Sequence, residues 1–285
     1  MPDNEQLRRL LSLYSTQKLS HHFQSQRKTK DSMIQEIIET YTPEDIYNFA
    51  YTQHATTKHH LHLLSHETSR LAELSTDPLD LPALARSERT ASQVSWFYLL
   101  EVEYEVVLRE PLEVTTVTFP WPVFIRCTPN LLMLRFTILE PSMASRFDSG
   151  RIVKATKRLD EAALQATALR SLDLANVAPL DLNRGVKSLW VEGMIDAPKI
   201  QWKKARATTR QTMDGTYLVK RDDPDLYQEL TDKPLFEALF SWTGGGNLSL
   251  EHFTVDATGG TLRFSTFSDL DTGAEYVVRE ILERN

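Results

Sequence analysis

The sequence predicts an α+β protein, with an N-terminal all-α bundle followed by an α+β domain that has a large, curled antiparallel sheet. Apolar residues recur at helical spacing as far as Glu73, whereas segments rich in aromatic and β-branched residues follow one another from Gln93 onward. Asp77, Pro78 and Pro82 interrupt both patterns. We therefore expect a helical unit at residues 1–74, a linker at residues 75–91 and the α+β domain at residues 92–285.

Four helices are expected in the N-terminal unit. The third and fourth follow threonines that are suited to cap a helix N-terminus. The start of the fourth helix also has a proline at the first helical position and two acids in the first turn. The predicted helices are Leu7 to Tyr14, Gln17 to Phe23, a segment capped by Thr29 that buries Met33, Ile34, Ile37 and Ile38, and Thr42 to about Glu73.

The α+β domain is expected to begin with four sequential antiparallel strands. Arg109-Glu110-Pro111 and Thr128-Pro129-Asn130 are predicted hairpin turns, and Pro120-Trp121-Pro122 is a predicted corner. The predicted strands are Trp96–Leu108, Leu112–Phe119, Val123–Cys127, Leu131–Leu139, Val186–Ile195, Ile200–Ala205, Thr216–Val219, Leu248–Asp256 and Thr261–Phe267. The predicted helices are Leu159–Leu172, Pro224–Trp242 and Asp271–Glu283, with a short one near Leu84–Glu88.

Composition is typical of a soluble globular protein, with 41% hydrophobic and 25% charged residues among 285. No apolar run reaches the roughly 20 residues that span a bilayer, and the first residues contain no apolar signal core. Cys127 is the only cysteine, so an intrachain disulfide and a cysteine zinc site are excluded. We therefore expect an intracellular protein, in the cytoplasm, nucleoid or nucleus, that does not bind membranes.

The net charge of -7 argues against a protein that is coated in nucleic acid. Residues 1–70 are neutral, with eight basic and eight acidic side chains, and they hold seven of the eight histidines. The remainder of the chain carries all of the negative charge. Any contact with nucleic acid must therefore be local.

The strongest local candidate is the basic turn, Arg27-Lys28-Thr29-Lys30, which precedes the third predicted helix. Helix N-termini bind phosphates because their unpaired N–H groups and the helix dipole favour anions, and adjacent lysine or arginine adds charge there. Lys18 is expected on the same side. The alternative is an ordinary solvated turn between two helices.

A second basic run without acids extends from Lys199 to Arg210. If it is a strand, Lys203 would face one way and Lys204 and Arg206 the other. It is either a second phosphate-contacting surface or an edge strand protected by lysines. A third acid-free cluster contains Arg151, Lys154, Lys157 and Arg158.

The sequence leaves two metal-dependent alternatives. His59, His62 and His66 would share a face of the fourth predicted helix, with a spacing that can bind zinc, but the glutamate of a zinc peptidase motif is missing. A histidine-rich surface in contact with solvent or a partner is favoured. For a nuclease, the nearest set is Asp181, Glu192, Asp196 and Lys199, in which one residue too many separates the last acid from the lysine.

Other catalytic motifs are missing from the sequence. The glycine segments at 244–246 and 259–260 lack the lysine and hydroxyl of a phosphate-binding P-loop, and there is no G-x-S-x-G element. Cys127 lies in an apolar segment that is typical of a core. We therefore expect no cofactor and favour a protein that is not an enzyme.

Two segments resemble the centromere protein N family. The first is RKTKDSMIQEIIE with the following DIYNFAYTQHATTKHHLHLLSH, and the second is residues 169–191, with Asp181-Leu182 and Ser188-Leu189 as the matching pairs. The resemblance covers less than half of the chain. It implies a death-domain-like bundle, a curved C-terminal sheet, and contact with DNA and a protein partner without catalysis, with Arg27, Lys28 and Lys30 as phosphate contacts. The N-terminal unit also resembles a SAP module, another DNA-binding helix pair.

These observations predict a non-catalytic adaptor subunit of a larger intracellular complex that binds nucleic acid, DNA rather than RNA, and one or more proteins. Its expected contacts are Lys18, Arg27, Lys28, Lys30, Lys199, Lys203, Lys204, Arg206 and Arg210. One alternative is a protein-interaction or structural subunit that does not touch nucleic acid. The other is a metal-dependent nuclease.

Overall fold

The computed structural model describes residues 4–68, 70–81, 83–108, 113–140, 152–158, 160–204, 207–212, 218–231, 233–244, 252–267 and 273–285. Four helices open the chain, a series of strands follows, and helices and strands are interspersed from residue 161 onward. The helices are α1 (Asn4–Ser12), α2 (Thr16–Phe23), α3 (Lys30–Thr40), α4 (Pro43–Thr52), α5 (Glu161–Leu172), α6 (Asn183–Val191), α7 (Val219–Asp222), α8 (Pro224–Thr231) and α9 (Gly273–Arg284), with short 3₁₀ turns at His54–Thr56 and Leu71–Glu73. In the described part of the chain, no helix is both long enough and apolar enough to cross a bilayer.

The strands form one antiparallel sheet. They are β1 (His59–Glu67), β2 (Leu84–Arg89), β3 (Val94–Leu108), β4 (Glu113–Cys127), β5 (Leu131–Thr137), β6 (Ile152–Arg158), β7 (Ala175–Pro179), β8 (Ile195–Lys204), β9 (Ala207–Thr212), β10 (Leu235–Trp242), β11 (His252–Asp256) and β12 (Thr261–Phe264). Ten of them follow the order β2-β3-β4-β5-β1-β12-β11-β10-β8-β9, while β6 pairs with β3 and β7 with β1. Among the described strands the two ends of this path do not pair, so the sheet is open. The predicted α+β class is confirmed.

The helix starts predicted from capping residues in the N-terminal part are confirmed. The Thr29 side chain accepts a hydrogen bond from the Ser32 backbone N–H at the start of α3. Thr42 and Asp45 form a reciprocal capping box at the start of α4, with Pro43 at the first helical position. These caps satisfy N–H groups that have no partner within the helix, which fixes where each helix begins.

The histidine-rich segment was predicted wrongly. The helix expected as far as Glu73 ends at Thr52, and β1 follows in the middle of the sheet. β1 pairs with β5 along one edge, and with β12 and then β7 along the other. From His59 to Leu63, fully and partly buried residues alternate, which is the period of a strand. Residues 53–74 are therefore not part of an all-helical unit.

Several boundaries in the C-terminal part were also wrong. The predicted strand at 186–195 is mostly α6, and the predicted helix at 224–242 is α8 followed by β10. The expected corner at 120–122 lies inside β4, which tolerates its prolines because pairing with β5 begins only at Val123. Within the predicted linker, Leu84–Arg89 forms a strand. The predicted turn at 109–111 lies outside the described residues.

Two hydrophobic cores lie against the sheet. One contains α1 to α4 together with β3, β4 and β5, and its largest buried side chains include Tyr14, Phe49, Trp96 and Trp121. The other joins α6 and α9 to β8 and β10 to β12 around Trp190. The N-terminal helices therefore share their core with the sheet.

A boundary between residues 1–74 and 92–285 stays a prediction, but the position of β1 argues against independent folding of the two parts. We expect limited proteolysis to cut between Ser75 and Ala91, but we expect the two fragments to remain associated. An N-terminal fragment would carry β1, whose backbone is hydrogen-bonded to strands of the other fragment on both edges. Size-exclusion chromatography of the nicked protein tests this. Elution of the N-terminal fragment by itself would contradict it.

Candidate functional site

The basic turn exposes two of its three cations. The Arg27 side chain is 60% exposed, and its Nε lies 3.6 Å from the Glu36 carboxylate. Lys28 is exposed beside it. Both residues come just before Thr29, the N-cap of the eleven-residue helix α3. An exposed ion pair of this kind is weak, so Arg27 remains available to a phosphate.

Lys18 and Lys30 do not fit the predicted contact surface. Lys18 is only 8% exposed, because it lies on the buried side of α2 with Leu19. The Lys30 ammonium donates a hydrogen bond to the Ser12 carbonyl at 2.8 Å and lies 5.5 Å from the centre of the Phe267 ring. Lys18 is therefore largely withdrawn from solvent, and the Lys30 amine is held by Ser12 and Phe267.

The second basic run lies at one end of the sheet. Lys199, Lys203 and Lys204 are in β8, and Arg210 in β9 stands opposite Gln201. Their side chains, and Arg206 as a whole, lie outside the described part of the chain. The strand prediction for this run is confirmed, and its role in binding stays a prediction. The third basic cluster falls largely on β6, where only the backbone is described.

The carboxylates considered for a nuclease serve other purposes. Asp196 is buried and accepts hydrogen bonds from Trp190 Nε1 at 3.0 Å and from three backbone N–H groups, those of Ala197, Lys220 and Arg221. Glu192 forms an ion pair with Arg284, at 3.0 Å. Because the Asp196 carboxylate holds α6, β8 and α7 together, Asp196 has a structural role.

Asp196→Asn should therefore destabilise the protein by roughly 3 kcal/mol. The amide would point its own N–H groups at buried N–H donors from which the carboxylate accepts hydrogen bonds. Asp181→Asn is the matched control. Its side chain is exposed and accepts a bond from Asn183, so its effect should stay within about 0.5 kcal/mol. Urea unfolding measures both. Equal effects would show that the Asp196 contacts do not stabilise the fold.

The three histidines predicted on one helix face are separated in β1. His59 and His62 point to opposite faces of the sheet, where they pack on Phe264 and Phe136 respectively. His66 Nε2 lies 3.5 Å from the buried Cys127 Sγ. Burial raises the pKa of this thiol to about 12, so it remains protonated. Within the described ranges, no group of three His, Cys, Asp or Glu side chains is placed to hold a metal.

The structure also forms a site that the sequence reading missed, which we call the arginine cavity. It has a volume of about 640 Å³ and lies between α9 and the β4–β5 pair, with Arg126, Met133, Arg135, Glu275 and Leu282 in its lining. Arg135 is 2% exposed. Its Nη2 lies 3.3 Å from Glu275 Oε1, and Arg126 Nη2 lies 3.5 Å from the same oxygen.

Phe124 fixes these arginines in place. The guanidinium carbons of Arg126 and Arg135 lie 5.2 and 5.8 Å from the centre of its ring. The His54 imidazole stacks on the same ring at 4.0 Å and contacts the Tyr51 carbonyl through Nδ1. Because both guanidinium groups and the His54 imidazole contact the same ring, their movement is restricted.

Several nitrogens in this region are buried without a hydrogen-bond partner. They are Arg135 Nε and Nη1, Arg126 Nε and His54 Nε2. Burial lowers the pKa of Arg135 to about 10, so the guanidinium is still charged at neutral pH. The two arginines of the cavity thus offer fixed positive charge and unused donors to a ligand, whereas His54 Nε2 is an acceptor because the neutral ring donates to Tyr51 through Nδ1.

One signal in the sequence could have revealed this site. Arg135 stands inside the apolar strand Leu131–Thr137, and Arg126 stands in an apolar stretch of β4. A charged residue flanked by apolar residues on a covered strand requires a partner. The partner, Glu275, lies 140 residues further along the chain, which local pattern cannot indicate.

Comparison with known proteins adds no assignment: no family model matches the chain, and no curated protein matches it either.

The free energy of unfolding should fall as the pH is lowered from 7 to 5, in part because of His54 and His59. Burial and then the charge of Arg135 hold the pKa of both imidazoles well below 6.5, so they stay neutral in the folded protein. The unfolded chain takes up these protons. The stabilisation is therefore present above about pH 6.5 and is lost below it, by up to about 1.4 kcal/mol per pH unit for each group.

Urea unfolding at pH 7, 6 and 5 measures this dependence in the wild-type protein and in His54→Gln. The variant should lose less stability between pH 7 and 5 than the wild-type protein loses. His21→Gln removes an exposed histidine of α2 and is the control. If wild-type protein and His54→Gln show the same dependence, His54 does not contribute to it.

Proposed function

We propose that this protein is a non-catalytic adaptor subunit of an intracellular complex, and that it contacts nucleic-acid phosphates through Arg27 and Lys28. The observation that carries the proposal is the exposure of both cations directly before the capped N-terminus of α3. Positive side chains and a helix N-terminus attract the same anion, so the two effects add. DNA is preferred to RNA because of the resemblance to the centromere protein N family.

The contact is small, which supports an adaptor rather than an independent DNA-binding protein. Two exposed cations neutralise about two phosphates, and the net charge of the chain is -7. Such a contact positions a complex whose other subunits provide most of the affinity. Because phosphates carry no sequence information, the contact should not distinguish one duplex from another.

We propose a non-catalytic protein because the acids considered for a nuclease have structural roles. Asp196 uses its carboxylate oxygens to hold one side chain and three backbone groups, and Glu192 pairs with Arg284. Neither is arranged to bind a magnesium ion beside a phosphate. A magnesium-dependent cleavage activity would therefore need residues other than these two.

Electrophoretic mobility of duplex DNA over a series of salt concentrations tests the proposal. Arg27→Ala with Lys28→Ala should weaken binding and lower the slope of log affinity against log salt by about 1.8, since each neutralised phosphate contributes about 0.9. The matched control is Arg70→Ala, because Arg70 is also exposed and paired with a nearby acid, Glu73. Its slope should equal that of the wild-type protein.

Three outcomes would separate the alternatives. An unchanged slope in the double variant would exclude the basic turn and direct attention to Lys199, Lys203, Lys204 and Arg210 in the β8–β9 hairpin. No mobility shift at low salt, for DNA or RNA, would favour a protein-binding subunit. Cleavage that depends on magnesium would favour a nuclease.

A further inference from the structure

We propose that the arginine cavity binds an organic monocarboxylate that has an apolar body, independently of any nucleic-acid contact at the basic turn. Three features of the cavity lead to this ligand class: its charge, its buried donors and its apolar walls. None of them involves a residue of the predicted nucleic-acid surface.

The first feature is an excess of one positive charge. Arg126 and Arg135 share the single carboxylate of Glu275. The third arginine of the lining, Arg279, is at the rim and is paired with Glu280 and Glu283 at 3.6 and 3.7 Å. A ligand with one negative charge would, together with Glu275, balance the two inner arginines. A phosphate dianion would instead leave a negative excess in a partly buried site.

The second feature is the set of buried donors. Arg135 Nε and Nη1 and Arg126 Nε are buried and have no hydrogen-bond partner in the described structure. Each unpaired donor carries a desolvation cost, which an acceptor would offset once the guanidinium turned that donor toward the cavity. A carboxylate has two oxygens with several lone pairs, and guanidinium groups bind it with well-matched geometry.

The third feature is the apolar part of the lining. Met133, Val278 and Leu282 line the cavity beside the ring of Tyr276. The volume of about 640 Å³ lies in the usual range for small-molecule sites. Because this wall continues from the arginines, a ligand with a hydrocarbon or aromatic body can bury that body while its carboxylate contacts the guanidinium groups.

Isothermal titration calorimetry of the full chain with acetate, benzoate and 4-phenylbutyrate tests the proposal. The affinity should rise in that order, since each larger molecule buries more apolar surface. The comparison ligand is 4-phenylbutyramide, which has the same shape without the charge. It should bind at least about ten-fold more weakly than 4-phenylbutyrate, because it carries no negative charge to pair with the arginines and has one acceptor oxygen where the carboxylate has two.

A matched pair of variants locates the binding. Arg126→Gln should weaken 4-phenylbutyrate binding at least about ten-fold, since it removes one of the two inner charges. Arg279→Gln removes a guanidinium from the rim that is already paired with two acids, and its effect should stay below about three-fold. Near-ultraviolet circular dichroism checks the fold of each variant. If Arg126→Gln fails to fold, the comparison of acid and amide in wild-type protein still decides.

Four results would overturn the proposal. They are the absence of saturable binding for all three carboxylates up to about 10 mM, equal affinities for the acid and its amide, tighter binding of inorganic phosphate than of 4-phenylbutyrate, and equal losses of affinity in Arg126→Gln and Arg279→Gln. Because none of these measurements contains nucleic acid, they are independent of the gel-shift result.

Discussion

The hydrogen bonding of β1 on both edges is the constraint on which the rest of the structure depends. This strand joins β2 to β5 on one side to β8 to β12 on the other, and therefore connects the two hydrophobic cores. Leu63 is at the point where β12 gives way to β7: its N–H donates to the Gly260 carbonyl, and its carbonyl accepts from the Leu180 N–H. Gly260 has a φ of 63°, and a Cβ there would lie 2.5 Å from the Leu63 oxygen. Only glycine allows this close approach without strain.

The correct predictions share a physical basis, since they rest on interactions between residues close in sequence. The caps at Thr29 and Thr42, the hairpin turn at 128–130 and the helices predicted at 159–172 and 271–283, which correspond to α5 and α9, are of this kind. β1 was missed because its histidines mimic helical spacing, while strand pairing with β5 and β12 decides the conformation. In α6, Val186, Leu189 and Trp190 do have helical spacing, but the β-branched and aromatic composition favoured a strand.

The same distinction between local and long-range interactions applies to the candidate sites. Exposure of Arg27 and Lys28 agrees with the sequence prediction because a polar turn between two helices is solvated whatever the tertiary packing. Lys18 and Lys30 could not be judged in this way, since their positions depend on how α2 and α3 pack on the rest of the chain. Lys30 reaches the Ser12 carbonyl and the ring of Phe267, which belong to distant parts of the sequence. The arginine cavity depends on four separate segments, so local pattern reveals its charged residues but not their grouping.

The energetics of Arg135 connect the fold to the cavity. It stands opposite Leu61 on one side and Phe124 on the other, in a region where an apolar side chain would fill the same space. Replacement of a buried ion pair by apolar residues is often neutral or stabilising, so the Arg135–Glu275 pair is weak evidence for a role in stability. One shared carboxylate leaves two of its nitrogens without partners. A bound anion would satisfy them and, because it binds the folded state alone, would shift the folding equilibrium toward that state. Arg135 would therefore couple ligand binding in the cavity to the stability of the sheet in which it stands.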